Sequence, residues 1–293
     1  MSFSSTVKNE ISTHVSSARH CQLAELAAII QSLGRIVNSP DGHSELVIDT
    51  DNDIISQKCF TLLKKTFNIV SLTDHDDVWN VLQALKLVDS DGVFRGLNRP
   101  ISPLLIKNAC CKRAYLRGMY MCVGSMSDPN KGYHLELVCG MEPIAMQIIE
   151  ILADFGLEAK MIARKRYFVV YIKESESIVD FLNICEAHVA LMEFENLRIV
   201  KEMRNSINRR VNCEAANITK TVNAATKQIE DIEYLRDHYG FNNLPANLRE
   251  MAEVRLEHPD ATLAELGTYL DPPVGKSGVN HRLRRLSEIA SQM

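Results

Sequence analysis

No stretch of this chain is long and apolar enough to cross a bilayer. Runs such as Leu104-Leu-Ile106 and Phe168-Val-Val-Tyr-Ile172 fall far short of the ~20 residues a spanning helix needs. The first residues, Met1-Ser-Phe-Ser-Ser-Thr-Val-Lys-Asn-Glu-Ile11, alternate polar and apolar and carry an acid. They lack the hydrophobic stretch and cleavage site of a signal peptide, which reads as a cytoplasmic protein. Charge of one sign is missing too: 33 Lys plus Arg face 37 Asp plus Glu, a formal net charge of −4. That excludes a uniformly basic nucleic-acid coat but leaves room for a locally basic surface. The nine histidines and eight cysteines form no H-x-x-x-H or C-x-x-C. The cysteines are dispersed through apolar patterns and read as reduced core thiols. Adjacent Cys110 and Cys111 would make half a metal site, but their neighbours Ala109 and Lys112 add no ligand. The pair reads as small buried hydrophobes, and no metal or other cofactor is expected.

What is present is 293 residues with 46% hydrophobic and 24% charged side chains, enough for two soluble domains or slightly more. Periodicity predicts a short helix within residues 1–20, an Ala-rich helix over 23–36, a strand over 44–51 and an amphipathic helix over 54–67. A short strand at 69–72, a polar turn at 73–77 and a helix over 78–87 complete the first half. Glycines and prolines at Gly92, Gly96, Pro100 and Pro103 mark residues 89–103 as a connection. The pattern then restarts, with helices over 112–121, 143–155 and 178–185, a strand over 133–139 and two strands within 159–173. The two halves read as an internal duplication.

Two nonamers align between them: Leu26-Ala-Ala-Ile-Ile-Gln-Ser-Leu-Gly34 and Leu116-Arg-Gly-Met-Tyr-Met-Cys-Val-Gly124. Both resemble the signature helix of LAGLIDADG homing endonucleases. The resemblance implies two helices packed side by side, with Ala27, Ala28 and Gly118 permitting close approach, each ending in a metal-binding acid. Here that position holds Leu33 and Val123. Metal-dependent phosphodiester cleavage needs hard oxygen ligands, which neither side chain offers. The scaffold is expected without the chemistry, and Asp128 is the only nearby acid a residual nuclease could use.

Basic residues cluster locally. Segment 158–173 carries Lys160, Arg164, Lys165, Arg166 and Lys173 against Glu158; such a hairpin would turn basic side chains to one face and Ile162, Val170 and Ile172 to helices. Residues 201–227 hold six basic and two acidic groups, residues 228–271 three and ten, and residues 274–287 four and none. Charge segregated in this way suits a module that turns one face to a polyanion. The asparagine-rich stretch from Asn205 to Ala225 has few large apolars and reads as a linker helix, with Arg209, Arg210, Asn212, Asn217, Thr219 and Lys220 available to phosphates.

The last residues read as three helices. The first runs over 248–257. Thr262, with Glu265 three residues on, forms a capping-box pattern for the second. Asp271-Pro-Pro-Val-Gly-Lys276 breaks it, and Ser277 is expected to cap a final helix to about Ser291. This is a helix-turn-helix with a long, proline-stiffened turn. At 100° per residue, Val279, Leu283, Leu286 and Ala290 share a core stripe, while Asn280, His281, Arg284 and Arg285 lie opposite and Arg282 on the flank. Asn and Arg suit bidentate bonds to adenine and guanine edges; Lys276, Ser277 and Arg282 suit phosphates.

Several segments resemble the WhiA family: Lys201-Glu-Met-Arg-Asn-Ser-Ile-Asn-Arg209, Val211-Asn-Cys-Glu-Ala-Ala-Asn217, Gln228-Ile-Glu-Asp-Ile232 and the run from Pro272 to Leu286. So do Arg113-Ala-Tyr-Leu-Arg-Gly118, Gly124-Ser-Met-Ser-Asp-Pro129 and Gly132-Tyr-His-Leu-Glu136. The resemblance implies a degenerate homing-endonuclease domain joined to a C-terminal helix-turn-helix, and transcription regulation in sporulation, cell division or chromosome segregation. The expected architecture is therefore α+β: a shortened first repeat (1–95), a second repeat (96–190), a basic helical linker (191–240) and an all-α helix-turn-helix domain (241–293). The expected protein is a non-enzymatic, nucleoid-associated regulator of double-stranded DNA, a monomer with an internal pseudo-twofold repeat, with transcription machinery or another regulator as further partner. The competing readings are a division protein whose helix-turn-helix binds protein, and a residual Mg-dependent nuclease.

Overall fold

The computed structural model describes residues 2–38, 44–88, 91, 93–94 and 96–293. The chain divides into two compact units, residues 1–202 and 203–293. Of the 89–103 connection, Asp89, Ser90, Gly92 and Arg95 lie outside the described residues.

The first unit is built around two helices of equal length, α2 (Arg19–Leu33) and α5 (Ala109–Val123), packed against each other. Their contact is close because small residues face one another. A Cβ added to Gly118 would stand 2.8 Å from the Ala28 Cβ and 2.8 Å from the Glu25 carbonyl oxygen. Ala24, Ala27, Ala28 and Ala114 are fully buried along the same contact. Before them, α1 (Phe3–Thr13) is started by Ser2, whose hydroxyl accepts from the Ser5 N–H.

After α2 the chain forms an antiparallel pair, β1 (Gly34–Asn38) and β2 (Ser44–Ile48). The expected helix over 23–36 therefore stops earlier, at Leu33, and the Arg35-Ile-Val37 stretch is strand: β-branched residues after a glycine favour extended backbone. Asn52 caps α3 (Asp53–Phe67), which ends on Asn68 in the left-handed region with φ 60°. Residues 69–72 form no strand; Leu72 contributes one carbonyl to the Leu46 N–H. The polar turn is partly helix, since Asp74 accepts from the Asp76 and Asp77 N–H groups and begins α4 (His75–Ala84).

The second repeat is fuller. After α5 come β3 (Gly124–Met126), β4 (Leu135–Cys139), α6 (Glu142–Ala153), β5 (Lys160–Arg164), β6 (Tyr167–Ile172) and α7 (Ser175–Ile184). The four strands form an antiparallel sheet in the order β3-β4-β6-β5. Nothing among the described residues of the first half corresponds to β5 and β6; its one sheet is the β1–β2 pair.

Helix α8 (His188–His238) follows as one 51-residue element. Glu10 of α1 caps its start, accepting from the Val189 N–H at 2.7 Å and the Ala190 N–H at 2.8 Å; a carboxylate there also meets the positive end of the helix dipole. The second unit closes with α9 (Ala246–Glu257), α10 (Leu263–Thr268) and α11 (Lys276–Ser291). Ile232 and Leu235 of α8 join Met251, Leu266, Val279, Leu283 and Leu286 in its core. No helix among the described residues is long and apolar enough to cross a membrane.

Candidate nucleic-acid interface

Helix α11 is held in place by its apolar stripe. Val279, Leu283 and Leu286 are buried, while Lys276, Ser277, Asn280, His281, Arg284 and Arg285 are exposed. The helix before it is fixed by a complete capping box: the Thr262 hydroxyl accepts from the Glu265 N–H and the Glu265 carboxylate accepts from the Thr262 N–H. Hydrogen bonding from Thr262 to the carboxylate, its backbone N–H first and its side chain second, holds the Glu265 carboxyl below its ordinary range. Gly267 lets the long turn fold back, since a Cβ there would stand 2.0 Å from the Val274 carbonyl oxygen.

Three details of α11 differ from expectation. Ser277 is not the cap; Gly275 holds that position, Ser277 is the second helical residue, and no side chain satisfies the first turn. Arg282 reaches toward α9, with Nη1 3.6 Å from a Glu250 carboxylate oxygen and 3.5 Å from the Asn247 carbonyl. Arg284 and Arg285 share one acid, Glu288, at 3.4 Å and 2.9 Å. The basic face of α11 therefore carries a built-in counter-charge, one position past the stretch counted as acid-free.

Residues 202–224 of α8 are exposed without exception. At 100° per residue, Arg209 and Lys220 fall within about 20° of each other, and Lys227 shares that face. Arg210 and Asn217 lie to one side of it, Asn212 and Thr219 to the other. Thr219 spends its hydroxyl proton on the Ala215 carbonyl, and Asn217 faces Cys213 Sγ at 3.9 Å. The opposite stripe is apolar, with Ile207, Val211, Ile218 and Val222; the segment holds more large apolars than its asparagine content suggests. A groove of about 410 Å³ brings Lys220 and Ile229 of α8 together with Asp260, Thr262 and Asn280. Asn280 and Lys220, 60 residues apart, thus line one concavity.

On the sheet, Arg164, Lys165 and Arg166 form the exposed β5–β6 turn, Lys165 at φ 56° and the Arg166 guanidinium 5.1 Å from the centre of the Tyr167 ring. Val170 and Ile172 face the helices, but Ile162 is 56% exposed. Register explains this: Ile162 pairs with Val169, not Val170, and so lies on the outer face with Lys160 and Arg164. The outer face also presents Tyr171, Lys173 and His134, the last 3.3 Å from Glu136.

The nuclease positions are empty of chemistry. Leu33 and Val123 end α2 and α5 and offer no oxygen ligand. Asp128 accepts from the Asn130 backbone and side-chain N–H groups at 2.9 Å and 3.1 Å, which hold its carboxyl below the ordinary range. It organises the turn after β3. The polar centre between the helices is an ion network: buried Glu25 meets Lys58 at 3.0 Å and Arg117 at 3.1 Å, and Arg117 continues to Glu186.

Family models match most of the chain. The WhiA N-terminal LAGLIDADG-like domain matches residues 19–75, the WhiA LAGLIDADG-like domain residues 112–204 and the WhiA C-terminal HTH domain residues 207–290. A probable cell division protein WhiA from Lachnoclostridium phytofermentans is 47% identical, over 99% of this chain and 98% of its own. A protein of the same name from Alkaliphilus oremlandii is 44% identical over 100% and 98%. The crystal structure of full-length DUF199/WhiA from Thermatoga maritima, 24% identical, aligns over 100% of this chain and 99% of its own with a TM-score of 0.54.

Proposed function

The chain belongs to the WhiA family, a degenerate LAGLIDADG-like domain with a helix-turn-helix and no nuclease centre of its own, and from that premise we propose that it is a sequence-specific DNA-binding regulator acting in cell division. The observation that carries this reading is α11: three buried apolar residues anchor a helix whose outer side shows His281, Arg284 and Arg285. In a helix-turn-helix that side enters the major groove, where Asn280 and Arg284 have the donor geometry for adenine and guanine edges. Lys276, Ser277 and the uncapped first-turn N–H groups of α11 suit a phosphate, with Arg282 braced on α9 beside them.

The remaining basic surfaces would add affinity without sequence preference. On α8 these are Arg209, Arg210, Asn212, Asn217, Thr219 and Lys220; on the second-repeat sheet they are Arg164, Lys165 and Arg166, flanked by Lys160 and Lys173. Each phosphate they neutralise releases counterions and steepens the salt dependence. The protein would act in the cytoplasm at the nucleoid, as a transcription regulator whose targets extend to chromosome segregation or sporulation. The test is genome-wide occupancy mapping followed by titration of a recovered site and a scrambled duplex. Arg284→Ala should relax discrimination at one base pair by about 1–3 kcal/mol, whereas Arg164→Ala should weaken both duplexes equally. Equal binding of both duplexes by the unaltered protein would overturn the reading.

A further inference from the structure

The duplication that sets Ala28 against Gly118 also acts at the other end of the helix pair. Helices α2 and α5 are both 15 residues long and both stop before a glycine, so each residue of α2 corresponds to the one 90 positions later in α5. His20 and Cys110 are the second residues of their helices, Cys21 and Cys111 the third. The four side chains converge. Their donor atoms, an imidazole nitrogen and three sulfurs, all lie within 4.8 Å of one another. His20 Nδ1 stands 3.1 Å from Cys111 Sγ, 3.3 Å from Cys21 Sγ and 4.0 Å from Cys110 Sγ.

A tetrahedral zinc ion, with bonds of about 2.3 Å to sulfur and 2.0–2.1 Å to nitrogen, has ligand-to-ligand edges of roughly 3.5–3.8 Å. The observed separations bracket those edges, so small side-chain rotations suffice. The expectation that Cys110 and Cys111 are both buried holds for Cys111 alone. Ala109 and Lys112 indeed add nothing, but α2 supplies the other two donors, and Cys110 is exposed.

We propose that His20, Cys21, Cys110 and Cys111 form a structural zinc site that clamps the two repeats together. Three thiolates and an imidazole are a soft donor set that suits Zn²⁺. On binding, the three thiols release their protons to solvent and the neutral imidazole coordinates through Nδ1, leaving the site with one net negative charge. That charge is well placed. Neither helix has a side-chain cap bond at its start, so the positive ends of two helix dipoles face the thiolates. Arg113 lines the adjoining cavity with Cys21 and Cys110. Exposed His20 and Cys110 give the ion a way in, while Cys21 and Cys111 are buried. Four protein donors leave no open position for substrate, which makes the site structural. Its ligands meet only when α2 packs on α5, so zinc binding adds to the stability of that packing.

The test uses the full chain, purified without chelator and assayed by elemental analysis, then stripped under reducing conditions and titrated with Co²⁺. One zinc per chain is expected, together with the sulfur-to-cobalt charge-transfer band and intense d–d bands of a tetrahedral thiolate site. Cys110→Ser and His20→Ala, both at exposed positions, should drop bound metal to background with unchanged far-ultraviolet circular dichroism. Cys213→Ser, on the exposed part of α8, should keep the full signal. Metal-free protein with all eight thiols titratable and no cobalt spectrum would overturn the proposal. So would zinc retained in both ligand variants, or a disulfide between Cys21 and Cys110 in freshly trapped protein. Because the unaltered chain supplies the cobalt spectrum, misfolding of a variant leaves the proposal falsifiable.

Discussion

Glu25 of α2, fully buried, holds the guanidinium of Arg117 of α5 through Nε at 3.1 Å and through a second nitrogen at 3.4 Å. The same carboxylate takes Lys58 at 3.0 Å, so a single acid serves two buried cations on different helices. Burial pushes Lys58 below its ordinary value despite Glu25, whereas burial of Arg117 is outweighed by Glu25 and Glu186, which hold it above. The network lies within the paired helices rather than at their ends, where Leu33 and Val123 stand, and it joins the two repeats.

Removing Glu25 should therefore be costly. Glu25→Ala leaves two buried cations without their shared partner, and a loss of about 3–5 kcal/mol is expected. Urea unfolding of the full chain checks it: the first transition midpoint should fall with little change of slope. Replacing all three by apolar residues of similar volume should recover most of the loss, because the charges then no longer need solvating.

Gly118→Ala should destabilise the same unit although alanine is the better helix former. The added methyl meets the Ala28 Cβ and the Glu25 carbonyl at 2.8 Å, an overpacking cost of about 1–3 kcal/mol against a propensity gain of about 1 kcal/mol. Pairing it with Ala28→Gly should restore part of the loss, since one of the two clashes disappears. Thermal unfolding of the single and double variants separates these outcomes.

Much of this was legible in the sequence. Helical spacing located α3, α5, α6 and α7, and the nonamers at 26–34 and 116–124 identified the paired helices. Strands that follow a glycine directly were not legible: Gly34-Arg-Ile-Val37 continues an apolar run and looks helical until the chain turns. Residues 69–72 fail as a strand because only one backbone bond, from the Leu46 N–H to the Leu72 carbonyl, ties them to β2, which local pattern does not report. Ile162 shows how a register shift of one residue inverts a prediction. At the interface, Glu288 escaped notice because it lies just past the basic stretch, yet its i, i+3 and i, i+4 spacing to Arg285 and Arg284 was a readable signal. His20 and Cys21 are separated from Cys110 and Cys111 by 90 residues, most of the first repeat. Extending the nonamer alignment backward by six residues would have placed them opposite one another.

The capping box of α10 should set local stability in the helix-turn-helix. Thr262→Ala removes the acceptor for the Glu265 N–H at an expected cost of about 1 kcal/mol, which is roughly a fivefold loss of amide protection. Acid should have a related effect. The Glu265 carboxyl is held below its unfolded value of 4.5, so its contribution is present above that pH and is lost as pH falls through the lower folded value. Hydrogen exchange across residues 262–270 of the full chain, at neutral and acidic pH, should show protection falling in acid. The pH-dependent part of that fall should shrink in Thr262→Ala.

Glu288 should act as a brake on DNA binding. Its carboxylate lies 2.9 Å from Arg285 and 3.4 Å from Arg284, and the two guanidiniums hold it below the ordinary carboxylate range. To reach base edges or phosphates, either arginine must leave this partner, and the acid then repels the polyanion. Glu288→Gln keeps the helix and the hydrogen-bonding shape but removes the charge. It should tighten binding to the recovered site and to a scrambled duplex alike, and the gain should fade as salt screens the repulsion. Titrations of both duplexes at low and high salt read this directly. Unchanged affinity at low salt would place Arg284 and Arg285 away from the DNA and move the reading face of α11 toward Asn280 and its groove with Lys220.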